Sequence, residues 1–287
     1  MPTFLETGNN LERTDLHITA GKELAVKDLV LAIVLTADGY SFCTAGGNPF
    51  VLSRLLAAPY PEKWQSWMPG EQFSWLQKEH PELKAAYKRI HIALESSRST
   101  LLPTAVYREG TGTDYFELVF GRVENEQLHR DSLAQWQSEL ISAFPIGYSA
   151  AVALHFSQAK LFSTEAVMGM RWFRQLQELP EQLFVHLQHE QLLVWHFQNE
   201  KLQLANRYQV AAPADVLYFL SLISNHPQCQ VMLSGESSLL AEAHALLGRY
   251  YADLQWLGHD PLLAFDPQWS NLPPASWQAL FACLCAS

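Results

Sequence analysis

LVLAIVLTADGYSFCTAGGNPFVLSRLLAA (29–58) is the stretch that decides the fold. LVLAIVLT (29–36) is an almost continuous apolar run, the composition of a strand buried on both faces. Asp38-Gly39 follows, and such a pair between apolar runs marks a two-residue hairpin, because a type I′ turn requires positive φ. YSFCT (40–44) returns, residues 45–49 turn again, and FVLSRLLAA (50–58) supplies a third strand, completing an antiparallel meander. A second 30-residue tract, LFVHLQHEQLLVWHFQNEKLQLANRYQVAA (183–212), repeats the plan. Leu183, Val185 and Leu187 fall on one face with His186 and Gln188 on the other, and the period of two continues through Leu193, Trp195 and Phe197 to Leu202, Leu204, Tyr208 and Val210. The two tracts share almost no residues, so what repeats is a pattern, β-β-β-α-β.

Working outward, the spacing predicts a short helix over 71–79 and strands over 89–94 and 113–121 (TDYFELVFG). It predicts a helix over 132–144 (SLAQWQSELISAF), a strand over 149–156 (SAAVALHF) and a helix from Thr164 to Leu179, stopped by Pro180. After the second meander come a helix (213–225), a strand (229–234), a helix (237–252) and a short strand (254–257). A terminal helix over 276–286 is expected to pack on the first lobe. The expected architecture is α/β and duplicated, with lobes at 1–180 and 181–287, each opening in a three-stranded meander.

Hydrophobic residues make up 48% of the chain and charged residues 17%, ample for real cores and too apolar for disorder. The formal charge of −10 argues against a surface that holds nucleic-acid phosphates. No stretch approaches the roughly 18–20 apolar residues that span a bilayer, and no signal peptide is visible, so no membrane insertion is expected. Cysteines at 43, 229, 283 and 285 have no zinc-like spacing and read as reduced, buried thiols. The expected location is the cytoplasm.

LAIVLTADGYSFCTAGG (31–47), STLLPTAVY (99–107), PADVLYFLSLI (213–223) and the tract from Cys229 to Leu257 together resemble a bacterial family of unknown function. The resemblance implies a degenerate actin-like ATPase fold, of the ribonuclease H-like kind, and no established activity. In active members of that fold two hairpin loops face the phosphates and a Gly-rich loop faces the adenosine. On this chain those positions are Asp38, Gly39 and Ser41 in the first hairpin and Gly235, Glu236 and Ser237 on the adenosine side. Asp38 could orient a hydrated magnesium ion, but Asp-Gly is also what a tight hairpin wants. The second hairpin offers only His189 and Glu190, without glycine, and Glu236 stands where a phosphate-bearing ligand would be repelled. Ser237 equally reads as a helix cap.

No P-loop, GxSxG elbow or HExxH motif occurs, and alternation puts His186 and His189 on opposite faces, so neither catalytic nor metal-ligating residues are assigned. The leading reading is a non-catalytic binding or assembly protein, a pseudo-ATPase with no cofactor. The alternative is a divergent ATPase or phosphotransferase that uses ATP and magnesium between the lobes. YPEKWQSWMPGEQFSWLQ (60–77) concentrates Trp64, Trp67, Phe73 and Trp75. Those rings either cover the core or form a surface for an unknown protein partner or for self-association.

Overall fold

The computed structural model describes residues 14–17, 25–96, 98–188, 190–226, 228–236, 238–258, 260–264 and 277–286. His189 and Ser237, both singled out above, lie outside the described residues, as does the side chain of Glu236. The chain runs through β1 (Thr14–His17), β2 (Val30–Leu35), β3 (Gly39–Gly46), β4 (Val51–Pro59), α1 (Pro69–Glu79), β5 (Arg89–Leu94) and β6 (Ser99–Pro103). It continues through α2 (Thr111–Phe120), β7 (Glu126–Leu133), β8 (Ser138–Pro145), α3 (Tyr148–His155), β9 (Ala159–Ser163) and α4 (Thr164–Phe173). Then come β10 (Glu181–Gln188), β11 (Gln191–Gln198), β12 (Lys201–Gln209), α5 (Pro213–Ile223), β13 (Gln230–Glu236), α6 (Ser238–Leu247), β14 (Asp253–Trp256) and α7 (Gln278–Leu284). The chain divides into two compact units, one holding the residues up to Met168 with 260–264 and 279–286, the other holding Gly169 onward to 258 with 277–278.

The first unit carries a six-stranded sheet in the order β1-β4-β3-β2-β5-β9 and the second a five-stranded sheet in the order β12-β11-β10-β13-β14. In both, the meander strands pair antiparallel and the next two strands add parallel on the far side of the first. Without β1 the two orders and directions are the same. The repeated pattern in the sequence is therefore a repeated topology.

Alternation decides what each sheet buries. Leu31, Ile33 and Leu35 of β2 face Phe73 and Leu76 of α1 and Val152 of α3, with Tyr40 and Phe42 of β3 beside them. Leu183, Val185 and Leu187 of β10 face Val216 and Leu220 of α5 and Leu240 and Leu247 of α6. Each such side chain contributes about 1.5–3 kcal/mol on burial. The opposite face of the second sheet is aromatic: Trp172 of α4 stacks on Phe184 (5.7 Å) and meets Trp195 edge-on (5.6 Å). Gly169 makes that possible, since a Cβ there would lie 2.3 Å from the Trp195 ring.

Open sheet edges invite further pairing and both units blunt theirs. Strand β1 covers β4, with Asp15 beside Arg54 (3.4 Å). Strand β12 has a register break opposite His196/Phe197, its Arg207 N–H donates to its own Asn206 Oδ1 (2.9 Å), and Gln203 Nε2 donates to the Lys201 carbonyl (3.3 Å).

Three sequence expectations exchange helix and strand. TDYFELVFG is helix α2, bounded by Gly110 and Gly121 at positive φ, and its Phe116 and Phe120 meet one turn apart at 4.8 Å. SLAQWQSELISAF is strand, turn and strand: β7 ends at Leu133, Gln137 takes φ 50, and β8 begins at Ser138. SAAVALHF lies in α3, started by Gly147 at φ 97, and α4 stops at Phe173, short of Leu179. With α2, β6-β8-β7 forms a small sheet of its own around Leu102, Phe116 and Ile141.

Glycine is mandatory at 235, where φ is 116 and a Cβ would sit 1.8 Å from the Leu187 carbonyl oxygen. Gly235→Ala is expected to lower stability by roughly 3 kcal/mol or more, since backbone cannot yield as a side chain does. At Gly70 nothing lies within 4 Å of a Cβ, so Gly70→Ala should leave the denaturation midpoint nearly unchanged. Paired urea titrations check both.

Candidate functional site

Ligands of sheets with parallel strands gather at the strands' carboxyl ends. In the first unit β2, β5 and β9 end together, with Leu35 beside Leu94 and Leu94 beside Ser163. The hairpin after β2 turns one residue earlier than Asp38-Gly39 suggests. Ala37 and Asp38 form the turn, Thr36 N–H donates to the Gly39 carbonyl (2.9 Å), and neither Asp38 nor Gly39 has a positive φ. Side-chain hydrogen bonds hold this turn in place of a left-handed backbone. Thr36 Oγ1 donates to the Gly39 carbonyl (3.0 Å) and accepts the Gly39 N–H (3.3 Å). Glu95, just past β5, accepts the Ala37 N–H on Oε2 at 2.8 Å, and the Tyr60 hydroxyl donates to the Thr36 carbonyl (3.0 Å). Asp38 is exposed, Gly39 buried and Ser41 half-buried. The chain thus sets its own carboxylate on the hairpin N–H that an incoming anion would need.

A second carboxylate is committed at the start of α4. Buried Asp131 accepts the Ser163 N–H (3.0 Å) and Oγ–H (2.6 Å), and Ser163 Oγ in turn accepts the Ala166 N–H (3.2 Å). This is a helix cap with a negative charge at the positive end of the dipole. His129 lies on the other Asp131 oxygen at 3.2 Å. The carboxylate, not the imidazole, is the middle member of this chain, so the arrangement does not activate Ser163 as a nucleophile.

In the second unit Gly235 lies beside Leu187 across β10 and β13, and Glu236 lies beside Gln188. The close approach to Leu187 accounts for the glycine without any ligand. In the β10–β11 turn the Glu190 carboxylate accepts from Gln209 Nε2 (2.7 Å), tying it to β12. Buried Ser234 donates to the Val185 carbonyl (3.0 Å), so its oxygen accepts from Nδ1–H of His186 (3.0 Å). Burial pushes the His186 imidazole down to about 4; Gln188 favours the charged form and the Arg207 charge opposes it.

A family model for proteins of unknown function, DUF3822, matches residues 23–254. The chain belongs to the DUF3822 family. Comparison with curated proteins gives no match. Among solved structures the chain is similar to a Bacteroides thetaiotaomicron protein with actin-like ATPase fold and unknown function, with a TM-score of 0.75 at 18% identity, covering 91% of this chain and 97% of that one. It is also similar to a structure of the PilM–PilN type IV pilus biogenesis complex, with a TM-score of 0.57 at 16% identity, covering 89% and 97%. At these identities the likeness shows the fold alone. This DUF3822 chain has the actin-like ATPase fold, and no helix among its described residues is long and apolar enough to cross a membrane.

The aromatic segment of this family member divides by depth. Trp64 and Phe73 are core residues at 4% and 0% exposure, which corrects their placement on a candidate surface. Tyr60 stacks on Trp64 at 4.1 Å, Trp75 meets Tyr40 and Trp64 edge-on, and Trp67 leans on both tryptophans near 6 Å. Pro69 starts α1 and lets the rings pack from an irregular backbone where a longer helix could not. Trp67 and Trp75 stay half-buried, and exposed Met68 follows Trp67 in the chain. Pro69 lies within 3.7 Å of a Cβ at Gly147, which brings exposed Ile146 into the same neighbourhood. No periodicity in the sequence links Met68 to Ile146. The sequence reading also missed a small open pocket of about 120 Å³ at the start of α2, lined by Tyr107, Gly112, His129, Arg130 and Ile141 among others.

His186 makes the stability of the protein pH-dependent. Its folded pKa lies below the unfolded value near 6.5, so the unfolded chain binds the proton first as pH falls. Stability is expected to decline from about pH 6.5 towards 4, by up to about 3 kcal/mol from this group. The difference between wild type and His186→Gln in urea midpoints at pH 7.5 and 4.5 isolates the contribution, and equal pH slopes would refute it.

Proposed function

We propose that this chain is a non-catalytic binding or assembly protein built on an actin-like scaffold, whose output is a protein contact rather than nucleotide turnover. The observation that carries the reading is the Glu95 carboxylate on the Ala37 N–H. An incoming phosphate at that turn meets a fixed negative charge and a donor already in use, and both oppose binding. Glycine at 235 adds no support for a nucleotide, because the Leu187 carbonyl alone requires it. Protein contact gains support from the half-buried Trp67 and Trp75 beside exposed Met68 and Ile146, since exposed apolar clusters mark contact sites. The similar PilM structure is itself seen in a complex with PilN. The cytoplasm is the compartment that suits four buried free cysteines.

Magnesium and ATP at saturating concentration should leave the melting temperature unchanged. A ligand binding the native state at 100 times its dissociation constant stabilises by about 2.7 kcal/mol, a shift of several degrees. Such a shift, lost in Asp38→Ala, would overturn the proposal and favour the ATPase or phosphotransferase reading. On the other face, Trp67→Ala with Met68→Ala should keep the melting curve within about 1 kcal/mol of wild type and abolish partner capture or self-association. Trp64→Ala, truncating a buried ring, should cost about 3–5 kcal/mol.

A further inference from the structure

The face of the first sheet opposite α1 and α3 carries small buried residues, among them Ala32, Cys43, Ala57 and Ala93. Residues 279–286 of α7 and its end belong to the same unit, and Leu280, Phe281, Cys283 and Leu284 are all at most 2% exposed. Polar ties fasten this segment to the sheet at Cys283. Its thiol approaches the Ile33 carbonyl (3.7 Å), and its carbonyl oxygen lies 2.9 Å from Nδ1 of His91 on the interior strand β5. A carbonyl can only accept, so His91 carries its proton on Nδ1. The same carbonyl accepts the Ala286 N–H (3.2 Å), so the His91 bond is its second, and it comes from a residue 192 positions away in sequence. His91 is 2% exposed, and its Nε2 finds no hydrogen-bond partner among the described residues.

We infer that His91 is a pH-sensitive latch for the 279–286 segment, closed while the imidazole is neutral and loosened when it takes up a second proton. A proton on Nε2 would place a cation in a buried site where that nitrogen makes no hydrogen bond among the described residues. Lys160 of neighbouring β9 and Arg89 of β5 itself add like charge, and Phe162 presents a ring edge-on at 5.8 Å. Strand β2 and helix α7 bring no charged side chain, and burial raises the Cys43 and Cys283 thiols, so no thiolate compensates. The backbone of Leu284 favours the charged ring, as Cys283 does, yet the net direction is down from the usual histidine value. Lifting the segment opens the ring to water and relieves the charge.

Hydrogen exchange followed by mass spectrometry, corrected for intrinsic rates, tests the latch on the whole chain. Between pH 7.5 and 5.5 the opening equilibrium of 279–286 should rise, by at most about tenfold, the ceiling that a proton's leverage one unit below 6.5 sets. Peptides of β2 and α1 in the same unit should hold their protection. His91→Gln keeps a donor but does not titrate, so its exchange should be flat with pH. A uniform rise across the unit, no rise at all, or the same rise in the variant would overturn the latch. Should the variant not fold, nitrogen NMR of wild-type histidines decides it. A His91 ring that titrates near 6.5 while the amides of 280–286 do not move would overturn the proposal.

Discussion

Each unit depends on one strand that is antiparallel to its neighbour on one side and parallel to its neighbour on the other. In the first unit it is β2, buried along its whole length; in the second it is β10. With no solvent face β2 reads as a continuous apolar run, and the mixed pairing of both strands forces short hairpins to one side and long crossovers to the other. The helices α1 and α3, or α5 and α6, then cover one face, and the loops after β2, β5 and β9 collect at one end. A polar residue inside β2 would therefore be buried whichever face it pointed to.

The collected loops could serve phosphate chemistry in principle, because backbone N–H groups at such ends suit anions. In this chain two such donors are already bonded: Glu95 accepts the Ala37 N–H and Asp131 the Ser163 N–H. Carboxylates that reach backbone N–H groups from within the chain stabilise the loops they bind. The same bonds occupy the Ala37 and Ser163 N–H groups.

The architecture was legible where one physical rule dominates. The second meander follows from a period of two, which only a strand exposes, and the first from a continuous apolar run closed by a turn signal. The failures fall where local rules compete. TDYFELVFG is rich in aromatic and β-branched residues and so resembles strand, yet Gly110 and Gly121 delimit a helix whose Phe116 fills a core. In SLAQWQSELISAF the apolar spacing imitates a helix, and nothing local announces that Gln137 will adopt positive φ. Asp38-Gly39 marked the right hairpin but the wrong turn, because the distant Glu95 and the adjacent Thr36 hydroxyl set its geometry. Of the candidate site, Gly235 was found with its reason missing, since the Leu187 carbonyl is 48 residues away across β10 and β13. Asp131, His91 and the nearness of Met68 to Ile146 are tertiary facts without a sequence signature.

The seat of residues 279–286 also fixes an order of assembly. The second unit's sheet, β10 to β14, is made from one uninterrupted run of chain ending at Trp256. The first unit must wait twice, for β9 to return to β5 across residues 95–158, and for 279–286 to reach a sheet whose strands were made far earlier. Contacts distant in sequence form slowly. During synthesis the unit that emerges first is therefore the one completed last, and the sheet around Ile33 and His91 lacks its Cys283 contacts until then. A nascent chain with such an unfinished sheet is a substrate for chaperones, and a stop codon before residue 279 would leave the first unit permanently in that state.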